Sequence, residues 1–339
     1  MIDLLVAGGG PAGLATALFG ARAGLEVVVV EPRSGTVDKA CGEGLMPGAL
    51  AALAGLGVDP AGAPIRGIRY TDGSRQAVAA FPAAVGRGVR RTVLHDALRE
   101  AAVAAGVTLH QGRIGTVQQD ADRVTAGGLT ARYLAAADGL HSPVRTALGL
   151  DLPDSGPRRY GLRRHYAMAP WTDLVDVHWA ADSEAYVTPV GPDLVGVALL
   201  GGRSAGFEES LRAFPALRDR LPADAVTATR GAGPLRQRVK ARVAGRVLLV
   251  GDAAGYVDAL TGEGIAVSLG CAAALVDAVV TDRPASYERT WRQASRRYRW
   301  ITGGLLWTRR RPLLARAIVP AAAALPPVFR AAVGQLARG

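Results

Sequence analysis

Apolar positions in this chain alternate between the period of a strand and the period of a helix. Residues 2–6 form a short apolar run of strand length. Leu14, Leu18 and Arg22 follow at four-residue steps, predicting a helix over residues 11–23 that stops at Gly24. Residues 26–30 are a second apolar strand, closed by Glu31. Residues 47–56 read as a short helix, and 65–82 as extended segments around the turn Thr71-Asp72-Gly73-Ser74. The stretch 90–106 is amphipathic, with Val93, Leu94, Ala97, Leu98, Ala101 and Ala105 on one side and Gly106 at its end. Residues 107–134 alternate strand patterns with turns, and a small-residue strand then runs into Asp138-Gly139.

From residue 158 to 200 the texture changes. Four strand-like runs follow one another, with turns at Ala181-Asp182-Ser183 and Gly191-Pro192-Asp193. They predict an antiparallel sheet, one face of which could cover a pocket, with Tyr186, Thr188, His178 and Arg163 as candidates to point there. Residues 206–221 are helical and 222–243 irregular and basic. The first pattern returns in a buried-type strand at 246–250, Gly251-Asp252 at its end, and a long apolar helix opened by Thr261-Gly262-Glu263-Gly264. Cys271 falls on the apolar side of that helix. In the tail, Arg289, Arg292, Arg296 and Arg299 share a helical face, and prolines break the apolar stretch 313–333 into short surface helices.

The architecture predicted is α/β: a Rossmann-like nucleotide-binding domain in several pieces, an antiparallel β-sheet substrate domain and short C-terminal helices. The expected boundaries are 1–64, 91–157 and 244–285 for the nucleotide-binding pieces, 65–90 and 158–243 for the substrate sheet, and 286–339 for the tail.

Composition narrows the class. At 339 residues and 49% hydrophobic, the chain can bury a large core. No run of about 18 apolar residues is uninterrupted, and the first strand begins at Ile2 with no room for a signal peptide, so a cytoplasmic protein is expected. Two cysteines make no disulfide framework, and the five histidines show no metal-ligand spacing with them, so no metal is expected. The formal charge of +11 is nearly all arginine, with Lys39 and Lys240 the lysines. No nucleic-acid motif accompanies it, so no nucleic-acid partner is expected. The basic amphipathic tail reads as a solvated face or as a peripheral contact with anionic lipid.

Chemistry concentrates at three places. Gly8-x-Gly10-x-x-Gly13 lies between a strand and a helix, with an acid closing the next strand, which is the setting a dinucleotide fingerprint requires. Gly8 makes the turn, Gly10 admits a pyrophosphate to the backbone, and Gly13 lets the helix pack on the sheet. Pro11 stands in the first helical turn, where a missing N–H costs little. Glu31 is placed to accept from ribose hydroxyls. Arg91 opens its helix where a phosphate would suit it, although a solvated arginine fits equally, and His95 and His110 read as ordinary helix and strand residues. Ser142 and Pro143 are an N-cap and first helical residue after Asp138-Gly139. The loop Cys41-Gly42-Glu43-Gly44 suits either a cofactor face or a surface turn.

Taken together, the fingerprint with Glu31, Asp138-Gly139-x-x-Ser142-x-x-Arg145 and Gly251-Asp252-Ala253-Ala254 resemble the FAD-dependent superfamily of p-hydroxybenzoate hydroxylase-like monooxygenases, flavin halogenases and geranylgeranyl reductases. KACGEGLMPGAL (39–50) and GDAAGYVDALTGEGI (251–265) look like the geranylgeranyl-reductase branch. The resemblance implies FAD, with cofactor contacts from Gly8, Gly10, Pro11, Ala12, Gly13, Glu31, Arg33, Cys41, Gly42, Arg91, Asp138, Gly139, Gly251, Asp252, Gly262, Gly264 and Ile265. It implies that the helix after Gly264 aims its positive end at the reduced flavin. In EAYVTPVG (184–191) Tyr186 is the one aromatic, where the reductases carry an aromatic-rich strand.

The function the resemblance implies first is an FAD-dependent monooxygenase, a hydroxylase or epoxidase. It would transfer oxygen from O2 to a small apolar metabolite through a flavin C4a-hydroperoxide, with NAD(P)H as a transient electron donor. The alternative is a flavin reductase of isoprenoid C=C bonds, and a remote one is a non-catalytic nucleotide-binding scaffold. Glu43 and Tyr186 are the candidate proton-handling catalytic residues.

Overall fold

The computed structural model describes residues 1–154, 156–202 and 206–337. Its first sheet is built on parallel strands from three distant parts of the chain. Ile2–Ala7 pairs in parallel with Val27–Glu31 on one side and with Leu129–Ala136 on the other, and the latter pairs in parallel with Val247–Leu249. Thr108–Gln111 extends the sheet beyond Val27–Glu31. The register sets Ala7 beside Ala136 and Ala136 beside Leu249. The turns at Gly8, Asp138 and Gly251 therefore leave the sheet side by side at its carboxyl edge, where ligands of such sheets bind. Near-continuous apolar strands such as Leu4-Leu5-Val6 are buried on both faces, with the helices Pro11–Arg22 and Gly264–Val280 packed over them.

The second sheet has seven strands, in the order Arg230–Ala232, Tyr160–Ala167, Leu194–Gly201, Ser183–Gly191, Leu174–Trp179, Gly67–Thr71, Gln76–Ala80. It is antiparallel as expected except at one place: Leu174–Trp179 and Gly67–Thr71 run in parallel. These strands come from chain segments about a hundred residues apart, so no hairpin dictates their sense. Alternation gives the sheet two unlike faces. Tyr166, Val187, Val197 and Leu199 face outward onto the short helices Phe207–Leu211 and Pro215–Arg218. Arg163, His165, Tyr186 and Thr188 face the first sheet. His178 departs from expectation: it pairs with Ala185 and sits beside Asp176 on the outward face, away from the cleft.

The tail also differs from the short surface helices predicted. Pro284–Arg309 is one helix of 26 residues. Its buried stripe, Tyr287, Trp291, Ser295, Tyr298, Thr302, Leu306 and Arg309, continues through Gly303-Gly304 because packing on either side holds the helix there. Pro312 and Pro326 stand at the starts of Pro312–Ala324 and Pro326–Ala337, where proline is compatible with a helix. Val319, Phe329, Val333 and Leu336 are buried against Ile68, Ala79, Val177 and Trp179 of the second sheet. Among the described residues no single helix is long and apolar enough to cross a membrane.

Candidate cofactor and active site

The glycine turn is dictated by close approach. Gly8 has φ +102°, and a Cβ there would lie 2.6 Å from the Ala137 carbonyl oxygen. A Cβ on Gly13 would lie 1.9 Å from the Gly8 carbonyl oxygen. At Gly10 the space is open, the nearest atom being the Arg91 guanidinium at 3.9 Å. The Gly9 amide donates to Glu31 Oε2 at 2.8 Å, and Arg33 Nε to Glu31 Oε1 at 2.6 Å. Burial pushes the Glu31 carboxyl up, but Arg33 and the Gly9 amide outweigh it and hold it below the usual range. His95 is not the ordinary helix residue expected. It is buried, and its Nε2 lies 3.1 Å from the Gly9 carbonyl, bracing the turn from behind; burial lowers its pKa and keeps it neutral. Beside Glu31 a cavity of about 230 Å³ is walled by Leu14, Val29 and Leu109 and edged by Arg33, His95 and Arg99.

The other two motifs are tied to each other by a buried arginine. Ser142 Oγ caps its helix by accepting from the Arg145 amide at 3.0 Å. The Arg145 guanidinium reaches the Ala253 carbonyl at 3.2 Å, the Leu140 carbonyl at 3.0 Å and Gln237 Oε1 at 2.9 Å. Asp138 Oδ2 accepts from the Val144 amide at 3.0 Å, whereas its Oδ1 is buried without a partner, as is Arg91 Nε. Gly251 turns at φ +62°. Burial raises the Asp252 carboxyl, opposed by Lys39, Arg91 and Arg145. Burial likewise lowers the Lys39 ammonium, helped by the neighbouring Arg33 and Arg91. Lys39 thus joins the Arg91–Asp252 cleft, a placement its loop position alone did not signal.

The Cys41–Gly44 loop enters this cleft from the side. Glu43 is buried and holds φ +60°, uncommon for a side-chain-bearing residue. Its Oε1 accepts from the Arg91 amide at 2.8 Å, and its Oε2 lies 2.6 Å from His165 Nε2. His165 Nδ1 faces Arg163 Nη1 at 3.2 Å and Thr227 Oγ1 at 3.1 Å. Arg163 can only donate, so Nδ1 accepts and Nε2 carries the proton shared with Glu43. Arg163, itself 1% exposed, also bonds Asp38 and the Lys39 carbonyl. Space for this cluster exists because Gly196 lies opposite His165; a Cβ there would come within 2.9 Å of Glu43 Oε2. Cys41 Sγ accepts from the Glu43 amide at 3.3 Å, and burial raises its thiol, which stays protonated. Thr188 donates to the Gly42 carbonyl at 2.9 Å, linking the second sheet to the loop.

Tyr186 donates to the Leu260 carbonyl at 3.0 Å, and burial pushes its phenol well above the usual value. The hydroxyl thus steadies the turn before Gly262 (φ +70°), whose nearest neighbour for a Cβ is Met46 at 3.9 Å. Gly264 opens the 17-residue helix Gly264–Val280, and Ile265 packs against the main core. Glu31, Arg33, Arg91, Asp138 and Asp252 are thereby brought around the Gly8–Gly13 turn at the carboxyl edge of the first sheet. The Glu43–His165 pair lies to the side of this cleft. His165 gave a faint sequence signal only: it shares strand parity with Arg163. Open glycine backbones and partnerless Asp138 Oδ1 and Arg91 Nε fit a long ligand carrying a diphosphate and hydroxyls.

Comparison with known proteins bears on that ligand. Over 162 residues the chain is 34% identical to a menaquinone reductase of Mycobacterium tuberculosis, covering 43% of this chain and 40% of that protein. It spans less than half the length of that relative. Over 301 residues it is 28% identical to the chloroplastic geranylgeranyl diphosphate reductase of Oryza sativa subsp. japonica, covering 78% of this chain and 63% of that protein. The solved flavin-dependent halogenase CmlS superposes with a TM-score of 0.79 at 20% identity, over 91% of this chain and 64% of that one, a likeness of fold. A family model described as FAD binding domain matches residues 1–179, more than half of the chain. The chain belongs to this FAD-binding family.

Proposed function

We propose that this FAD-dependent oxidoreductase reduces a carbon–carbon double bond in an apolar, isoprenoid-type substrate, with NAD(P)H as the reductant. The observation that carries the reading is the buried Glu43–His165 pair, which holds a proton between Nε2 and Oε2 at 2.6 Å in the loop facing the cleft. Saturating a double bond needs a hydride at one carbon and a proton at the other. Bound FAD, once reduced, supplies the hydride. Glu43, as the carboxylic acid, offers its own proton to the second carbon; the His165 Nε2–H donates to the carboxylate left behind, which takes its next proton from solvent. Arg163 and Thr227 hold the imidazole in the tautomer that points its proton at Glu43. Lys39, Arg91 and the Gly8–Gly13 amides bind the diphosphate, while Glu31 and Asp138 take ribose or ribitol hydroxyls. The relatives named as reductases support this reading.

A monooxygenase of a compact apolar substrate is the second reading. The packing of Phe329, Val333 and Leu336 onto the second sheet favours it, because those side chains fill part of the face on which a long chain would lie. Product analysis with reduced protein, with and without oxygen, separates the two. A reductase forms product two mass units heavier than the substrate in the absence of oxygen. Product only in air, with an oxygen atom gained, overturns the first reading.

A further inference from the structure

The charge of this protein is segregated along the chain. No acidic residue follows Glu288, and the residues after it include eleven arginines and no lysine. The formal charge of +11 therefore resides entirely in the residues after Glu288; those up to Glu288 carry 29 basic and 29 acidic groups.

Arg309 and Arg297 are spent on buried Glu184 and Glu263. Among the described residues Arg296, Arg310, Arg311 and Arg316 are exposed and pair with no carboxylate. Apolar side chains stand among them. Trp300 is 80% exposed and Trp307 55%, one heptad apart on the side of their helix opposite the buried stripe. The Arg311 guanidinium lies 3.6 Å from the Trp307 ring centre. The next helix, Pro312–Ala324, buries Ala315 and Val319 and turns Leu313, Ala317, Ala321 and Ala324 to the outside, with Leu313 81% exposed. A helix apolar on both sides has no reason to face water on one of them. The bend of 102° into Pro326–Ala337 rules out a straight span of the pair, and buried Phe329, Val333 and Leu336 fasten the second helix to the sheet.

We propose that the outer side of Trp300–Trp307 and of Pro312–Ala324 is a peripheral docking surface for a bilayer of anionic phospholipid. Leu313 and the tryptophans enter the headgroup–acyl boundary, and Arg296, Arg310, Arg311 and Arg316 meet the phosphates. Charge complementarity selects anionic lipid. The exposed tryptophans and leucine select a bilayer over nucleic acid, since duplex phosphates offer no apolar phase. The surface is independent of which substrate the protein reduces.

The test is co-sedimentation of FAD-loaded protein with phosphatidylcholine vesicles, with and without phosphatidylglycerol. A short DNA duplex is the competing polyanion. Binding to anionic vesicles alone is expected, with a blue shift of tryptophan emission. The double variant Arg310→Gln/Arg311→Gln should weaken it about tenfold. Trp300→Ala/Leu313→Ala should weaken it as much and remove most of the blue shift, with flavin occupancy and melting temperature unchanged. The proposal falls if the protein ignores both vesicle types. It falls equally if Trp300→Ala/Leu313→Ala binds as the parent does while duplex DNA displaces the vesicles.

Discussion

The two sheets meet the same cleft with different materials. The first offers it backbone: amides of the Gly8–Gly13 turn, a helix start, and glycines whose missing side chains leave room. The second offers side chains, in a buried lattice of Arg163, His165 and Thr188 reaching across to Glu43 and Gly42. Backbone sites bind a constant part of a ligand, such as a diphosphate, and tolerate little variation. Side-chain sites handle protons and can be altered one residue at a time. Cofactor retention should therefore depend on the first sheet and turnover on the second, and this division can be attacked directly.

The largest expected contrast is between two glycine-to-alanine changes. In Gly13→Ala the new Cβ meets a carbonyl at 1.9 Å, so backbone must move and the purified protein should lose its flavin absorbance. In Gly196→Ala the obstacle is the end of a carboxylate side chain at 2.9 Å, which can swing aside. That variant should stay yellow and lose turnover, because Glu43 is pushed off His165. Equal flavin loss in both would erase the distinction.

Next in size is a buried ion pair behind the second sheet. Burial would raise the Asp176 carboxyl, but the Arg69 guanidinium and His178 hold it well below the usual carboxylate range. A carboxyl depressed in the folded state stabilises above its unfolded value of about 4 and ceases to do so as the pH falls through the folded one. Denaturant melts should thus show stability falling below pH about 4. Asp176→Asn should cost about 2–4 kcal/mol at neutral pH and flatten that acid limb. Flavin affinity should hardly change, since this pair lies on the outward face. An unaltered acid limb would show that another carboxylate sets it.

Smaller effects are expected at the cofactor cleft. Glu31→Gln keeps an acceptor for the Gly9 amide but loses its charge, and should weaken FAD binding by about 1–2 kcal/mol in a dialysis titration. His95→Ala removes the brace on the Gly9 carbonyl and should cost less, about 1 kcal/mol, with turnover of the loaded protein unchanged. A larger effect at His95 than at Glu31 would mean that the turn is held chiefly from behind.

The same contrast explains what the chain disclosed before its structure. Gly8, Gly10, Gly13 and Glu31 fall within one strand–helix–strand unit, and the capped turn at Ser142 is equally local, so spacing alone exposes them. Glu43 and His165 are 122 residues apart, and no local period marks two polar side chains that meet only when separate sheets close together. His178 misled for a related reason. Strand alternation tells which residues share a face but not which face turns inward. In the tail, Pro326, read as a break, starts a helix, and Pro320 lies inside one; the buried stripe through Gly303-Gly304 emerges only once the second sheet supplies a surface to cover.

The central claim is that Glu43 delivers a proton while the cofactor delivers a hydride. Single-turnover mixing of dithionite-reduced protein with an isoprenoid olefin, without oxygen, tests it most directly by following return of the oxidised flavin band. The parent protein should reoxidise and release saturated product. Glu43→Gln, with FAD fully bound, should reoxidise at least about a hundredfold more slowly. Equal rates in both, or a flavin band that returns only when air is admitted, would contradict the account.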